Sequence, residues 1–171
     1  MKFFLVFALL LSYLKADLLD FNTIKANFTQ TITNDRNNTI TYKGTMYIKK
    51  PDNILWEYNT PIKKKIYITK HNITIYEPEI YQAVILKQKN ELDPIKMLQN
   101  SKTISPTKKI SNYNNNEITI THNNKTINSI YFTDNVGNAN TIKFESYEKN
   151  TALNNSLFVF VATDDVDIIR E

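Results

Sequence analysis

From residue 28 onward, apolar and polar residues of this chain alternate with a period of two, the mark of half-buried β-strands. Phe28, Gln30 and Ile32 share one face of a first strand, and Asn34-Asp35-Arg36-Asn37-Asn38 makes a hairpin tip. Residues 39–49 return with Ile40, Tyr42, Gly44, Met46 and Ile48 on one side. Pro51-Asp52-Asn53 turns the chain into a strand over 54–58, and Thr60-Pro61 turns it into 63–69. Further strands are predicted at 72–76, 81–87, 108–113, 117–122, 126–133, 140–147, 157–161 and 166–169. The pattern breaks at 92–98. Asp93 is placed there to cap a short helix, Pro94 takes its first position, and Ile95, Met97 and Leu98 face inward. Residues 151–156 read as a loop or one helical turn. Ahead of the first strand, Leu18, Leu19, Phe21 and Ile24 have the spacing of a short amphipathic helix over 17–26, capped by Asp17. Turns recur roughly every ten residues, as in a meandering antiparallel sheet or barrel of ten or eleven strands. No internal repeat or linker divides it.

The first sixteen residues follow another logic. Met1-Lys2 precedes an apolar run over 3–11, and Ser12-Tyr13-Leu14-Lys15-Ala16 follows. A positive start, a short apolar stretch and a small final residue predict a secretory signal over 1–16, cut after Ala16, with one domain over 17–171. The run is short of the roughly 20 residues that span a bilayer as a helix; a short anchor or buried helix is the other reading. Removing 16 of the 171 residues leaves 155, enough for a real core. Lys2 and Lys15 leave with the signal, so 21 basic residues become 19 against 17 acidic ones, and the net charge falls from +4 to about +2. That balance gives no reason to expect nucleic-acid binding. Cysteine is absent, so no disulfide holds the fold and no cysteine carries a lipid anchor. A soluble periplasmic protein is expected.

Glycine occurs only twice. Asparagine tolerates the left-handed backbone conformation better than most residues, so the clusters at 37–38, 114–116, 123–124 and 154–155 are read as turns; short low-complexity tracts are the alternative. The two histidines, His71 and His122, read as surface turn residues, and with no cysteine the chain lacks the ligands expected of a zinc or thiol site. Neither a nucleophile elbow nor a glycine-rich phosphate loop is present. Asp164, Asp165 and Asp167 lack the glycine and spacing of a calcium loop and read as a solvated turn. No cofactor is expected.

The unusual feature is aromatic: ten Tyr, nine Phe and one Trp. Some strands look apolar on both faces, with Leu55 between Ile54 and Trp56, and Tyr76 beside Ile73 and Ile75. A small antiparallel sheet usually keeps one face wet. Two readings stand: a packed core with tyrosine edges, or a curved sheet whose concave face is partly filled and suits an apolar ligand. On the second, Phe28, Met46, Ile54, Trp56, Tyr58, Ile73 and Ile75 line or support the cavity. Lys63-Lys64-Lys65 is either a solvated face or a contact that steers the protein toward an acidic partner or anionic lipid. Asp35-Arg36-Asn37-Asn38-Thr39 is an ordinary turn or an acidic extended sequon for glycosylation at Asn37.

Several motifs occur in a set order: Phe28-Thr29-Gln30; Gly44 and Tyr47-Ile48-Lys49-Lys50-Pro51; Trp56-Glu57-Tyr58-Asn59-Thr60-Pro61; Ile73-Thr74-Ile75-Tyr76-Glu77-Pro78 before Tyr81-Gln82; Asp93-Pro94-Ile95-Lys96-Met97-Leu98; Phe158-Val159-Phe160; and Asp165-Val166-Asp167-Ile168-Ile169. Together they resemble the LolA family of periplasmic outer-membrane lipoprotein carriers over nearly the whole mature chain, most specifically over 28–82. The resemblance implies an incomplete antiparallel β-barrel with an α-helical lid over a hydrophobic cavity. It also implies a monomeric, non-enzymatic chaperone. Such a protein takes acylated lipoproteins from an inner-membrane lipoprotein-releasing ABC transporter to an outer-membrane acceptor. The lid would be 17–26 and 94–100, with 151–156 as a third piece, and Leu18, Phe21, Ile95 and Leu98 would be its apolar contacts. The family usually places Arg before the proline of the Pro51 turn, where it bonds lid groups and gates the cavity. Lys50 stands here; it keeps the charge without the planar fork of donors. Val161-Ala162 replaces the family's paired prolines. A periplasmic lipid- or lipoprotein-sensing module on the same fold is the runner-up, and a small hydrolase comes third, with nothing at catalytic spacing. Burying a methylene is worth about 0.8 kcal/mol, so a sixteen-carbon chain would gain roughly 12 kcal/mol gross. Release therefore requires lid opening or incomplete burial.

Overall fold

A computed structural model describes residues 18–87, 94–113, 116–123 and 125–171. The expected signal, Asp17 and the capping Asp93 lie outside them. Among the described residues twelve strands form one sheet: β1 Thr23–Thr33, β2 Thr39–Lys49, β3 Asn53–Thr60, β4 Lys64–Ile68, β5 Asn72–Glu77, β6 Gln82–Lys87, β7 Lys102–Ser105, β8 Lys108–Tyr113, β9 Asn116–His122, β10 Ile127–Thr133, β11 Ala139–Lys149 and β12 Asp167–Arg170. Their order is β12-β6-β5-β4-β3-β2-β1-β11-β10-β9-β8-β7. Strand β1 is the shared joint. The meander β1 to β6 runs out on one side of it, and β11 back to β7 on the other. Neighbours are antiparallel except β12, which runs parallel to β6. The sheet does not close. It ends at β12 and β7.

The sheet curls. Trp56 on β3 and Phe144 on β11 are three strands apart, about 14 Å in a flat sheet. Their ring centroids lie 6.2 Å apart. One apolar cluster therefore joins both halves, from Ile54, Ile68 and Ile73 across Phe28 and Met46 to Ile120, Ile130 and Ile142. The alternation expected for β1 and β2 holds: Phe28 and Gln30 are buried, as are Gly44, Met46 and Ile48. Phe28 stands opposite Gly44. A Cβ at Gly44 would meet the Phe28 ring at 2.8 Å and press on the Glu57 carbonyl oxygen. Only glycine leaves the ring room to lie flat on its neighbour strand.

Three expectations are corrected. Residues 18–26 are not a helix: Leu18 and Leu19 form a turn and β1 starts at Thr23. Pairing with β2 on one side and β11 on the other takes up the backbone groups a helix would have used. Residues 157–161 are not a strand. A 3-10 turn over Asn155–Phe158 occupies part of them, and β12 takes the edge of β6 instead. Residues 151–156 do not roof the inner face. The Lys49 ammonium donates to the Leu153 carbonyl at 2.8 Å, the turn packs on β3, and Phe160 stacks on Tyr67 and Tyr76 at 5.9 and 5.2 Å. Tyr67 and Tyr76 share the outer face with Leu55 by register. The tail therefore covers that face, leaving Leu55 and Ala83 at 1% and 0% exposure. This accounts for strands that are apolar on both sides.

Asparagine takes on part of glycine's role. Asn37 and Asn150 adopt φ of 60° and 58°. Asn34 Oδ1 accepts from the backbone of Arg36 and Asn38, Asn123 Oδ1 accepts from Lys125 and Thr126, and Asn154 Oδ1 caps the 3-10 turn.

Candidate functional site: a roofed apolar hollow

Antiparallel order sends the starts of β1 and β10 and the ends of β2, β9 and β11 to one end of the curl, the upper end. Just below it the inner face holds a small hollow. Ile24, Met46, Ile48 and Trp56 wall it from β1 to β3, and Ile127, Ile130, Phe144 and Tyr147 from β10 and β11. Leu19 and Phe21 close it from the N-terminal segment; Ile95, Met97 and Leu98 close it from helix α1, Pro94–Gln99. Apart from the Trp56 ring nitrogen and the Tyr147 hydroxyl, every lining side chain is hydrocarbon or thioether. The volume is about 30 Å³.

Of the side chains expected to line or support a cavity, Met46 and Trp56 do line it. Phe28, Ile54, Tyr58, Ile73 and Ile75 belong to the surrounding core and are not in the wall. Phe28 supports Trp56 directly, edge to face at 5.0 Å. Among the expected lid contacts, Phe21, Ile95 and Leu98 line the hollow, while Leu18 is buried beside it. Tyr147 was not foreseen. Alternation from Phe144 would point Ser146 inward. Ser146 instead takes φ 49°, and the register of β1 on β11 slips between Lys25 and Asn27. The bulge turns Tyr147 inward, where burial pushes its hydroxyl pKa up to about 12.

The roof segment 18–22 hangs on a few polar bonds. Lys50 Nζ donates to the Leu19 carbonyl at 2.5 Å and lies 4.3 Å above the Phe21 ring. The Lys50 backbone N–H donates to the Asn22 carbonyl at 2.9 Å. On the other side Lys149 Nζ donates to the Asp20 carbonyl at 3.3 Å, and Asn150 Oδ1 accepts from the Asn22 backbone at 2.7 Å.

The opposite, lower end is plugged. Tyr58 donates to Gln30 Oε1 at 2.9 Å, Gln30 Nε2 to Asn140 Oδ1 at 3.0 Å, and Asn140 Nδ2 to Asp134 Oδ2 at 3.3 Å. Burial, with a smaller contribution from Tyr42, raises the Tyr58 pKa to about 12. Desolvation acts to raise Asp134, but hydrogen bonds from the Asn138 backbone and side chain, the Val136 backbone and Asn140 outweigh it and hold the carboxyl below its ordinary value.

The lysine run does not act as one patch. Lys64 pairs with Glu77 and Lys65 with Glu57, each at 2.8 Å, while Lys63 is exposed at the β3–β4 turn. His71 is exposed, as a turn residue should be. His122 is not: it is 7% exposed on the inner face of β9, because the backbone bond to Thr107 carries the strand through it.

The family described as outer membrane lipoprotein carrier protein LolA matches residues 20–102 and 93–161. The chain belongs to this family. An outer-membrane lipoprotein carrier protein of Helicobacter pylori is 30% identical over 150 residues, 87% of this chain and 80% of that one. A protein of the same name from Wolinella succinogenes is 28% identical over 150 residues, 87% of each. One from Campylobacter jejuni is 42% identical over 83 residues, 48% of each. Among solved structures, a LolA superfamily protein from Nitrosomonas europaea superposes with a TM-score of 0.54 at 10% identity, covering 85% of this chain and 94% of that one. An uncharacterised conserved protein from Thermus thermophilus superposes at 0.58 and 13%, covering 92% and 95%. These two share the fold of this LolA-family chain: an unclosed, mainly β sheet with few helices.

Proposed function

We propose that this chain is a periplasmic carrier that shelters the acyl chains of lipoproteins in the hollow under segment 18–22 and α1, without catalysing a reaction. The observation that carries this reading is an apolar hollow walled by both halves of the sheet and roofed by two short pieces of chain. At about 30 Å³ the closed hollow has room for about one water, whereas ligand pockets run to roughly 300–1,000 Å³. Loading therefore means lifting the roof. Lys50 is the gate: its ammonium holds the Leu19 carbonyl as a single point donor. Separating roof from wall exposes apolar surface, which an arriving acyl chain covers again. The exchange stays near balance, so cargo can leave.

In this reading the donor is an inner-membrane lipoprotein-releasing ABC transporter and the recipient an outer-membrane acceptor. The carrier works as a monomer after loss of residues 1–16. Lys63 is the member of its run left to meet an acidic partner. Trp56 is the only tryptophan and lines the hollow, so it reports occupancy. Titrating the mature protein with a fatty-acyl probe should shift its fluorescence; an unchanged spectrum at saturating probe counts against the placement. Capture of diacyl and triacyl lipoproteins from the periplasm, and their stranding at the inner membrane on depletion, test the transport role.

A further inference from the structure

A polar group lies next to the apolar wall, outside its lining. Ile118, Ile120 and His122 are the buried, alternate residues of β9 and so share its inner face. His122 pairs with Ile127, part of the hollow's wall, at the upper end of the sheet. Its Nδ1 lies 2.9 Å from the Asn123 carbonyl. A carbonyl only accepts, so Nδ1 carries the proton, and in the neutral ring Nε2 keeps its lone pair. That Nε2 is buried and has no hydrogen-bond partner among the described residues. A buried acceptor left unpaired is unfavourable, and natural structures keep few of them.

We propose that His122 Nε2 is the specificity element of the hollow: it accepts a hydrogen bond from the amide N–H that joins an acyl chain to a polypeptide. The inference rests on the carrier reading above. Acyl tails seek the depth of the hollow, and with the roof lifted the polar junction behind them comes to rest by Ile127, the strand partner of His122. An ester-linked lipid brings carbonyl oxygens to that place, which only accept and leave Nε2 unpaired. An N-acylated peptide brings a donor. The ring therefore separates acylated protein from membrane phospholipid of the same chain length, a distinction that apolar walls alone draw poorly.

The test uses the mature wild-type protein, an N-palmitoyl peptide, and its twin in which the same amide is N-methylated. The pair keep chain and carbonyl and differ in one N–H. Trp56 fluorescence should show the secondary amide binding about tenfold tighter. His122→Phe should bring both ligands to the weaker affinity. In case that variant does not fold, ¹⁵N spectra of the wild-type imidazoles provide a second readout. The His122 Nε2 resonance should move upfield with the secondary amide and stay with the tertiary one, and exposed His71 serves as the control. Equal binding of both peptides with an unmoved Nε2 signal overturns the inference and leaves the carrier reading standing. Failure of the wild type to bind either peptide overturns both.

Discussion

The two ends of the curled sheet are built on different physics. At the lower end, Phe28 lies on Gly44 and meets Trp56 and Tyr58 edge to face at 5.0 and 5.1 Å, and a chain of bonds from Tyr58 to Asp134 seals the strands together. These contacts tie β1 to β2, to β3 one strand further on, and to β11 and the turn before it, all held side by side in one sheet, so they part only as the sheet comes apart. At the upper end the closure is a five-residue segment and a six-residue helix. The roof segment is tied by two lysine side chains to its carbonyls, by the Asn150 side chain to the Asn22 N–H and by one backbone bond from Lys50, and those bonds can break while every strand stays paired. What differs is whether letting go costs global or local structure.

That contrast can be broken by experiment. Phe28→Ala should cost the most, about 3–5 kcal/mol, read as a lowered urea midpoint with every probe moving together. Gly44→Ala should follow with roughly 1–3 kcal/mol, because the new methyl meets the Glu57 carbonyl oxygen, which is backbone and cannot swing aside. Lys50→Met should cost only about 1 kcal/mol globally, yet amide exchange over residues 19–22 should quicken and acyl-probe uptake should speed up. If the global midpoint falls as far as in Phe28→Ala, the roof is part of the sheet's cooperative unit and the contrast is wrong.

The two high tyrosines sharpen it further. Both pKa values are raised from 10.0 to about 12, so their contribution to stability is full below pH 10 and is lost as pH climbs toward 12. Tyr147, under the roof, should ionise earlier in Lys50→Met, while Tyr58, behind the plug, should ionise only with global unfolding. Tyrosinate absorbance in Tyr58→Phe and Tyr147→Phe backgrounds separates them. The smallest effect is expected at Asn37, exposed at a hairpin tip. If its sequon is used, intact mass of protein from its native host should exceed the sequence mass by a glycan, with no change in midpoint.

Strands were legible because they are half-buried, and half-burial writes a period of two. The strand bounds of β2 and β8 follow from that. Strand β7 did not show, since an edge strand with exposed Lys102, Thr103 and Ile104 has no buried face to mark. Residues 18–26 misled because four apolar positions in so short a window fit a helix, while their burial comes from roof and wall contacts distant in the chain. Tyr147 was hidden by a bulge, which shifts the parity that the reading relies on. Burial of His122 came from one further backbone pairing, invisible in a turn-rich stretch.

The tail on the outer face has a consequence for timing. Leu55 and Ala83 stay open to water until Phe158 and its neighbours arrive, and β1 cannot find its second partner until β11 has been made. Almost the whole polypeptide must exist before its first strand is paired on both edges. Such a chain folds slowly and late, because its joint strand waits on a partner more than a hundred residues further along the sequence.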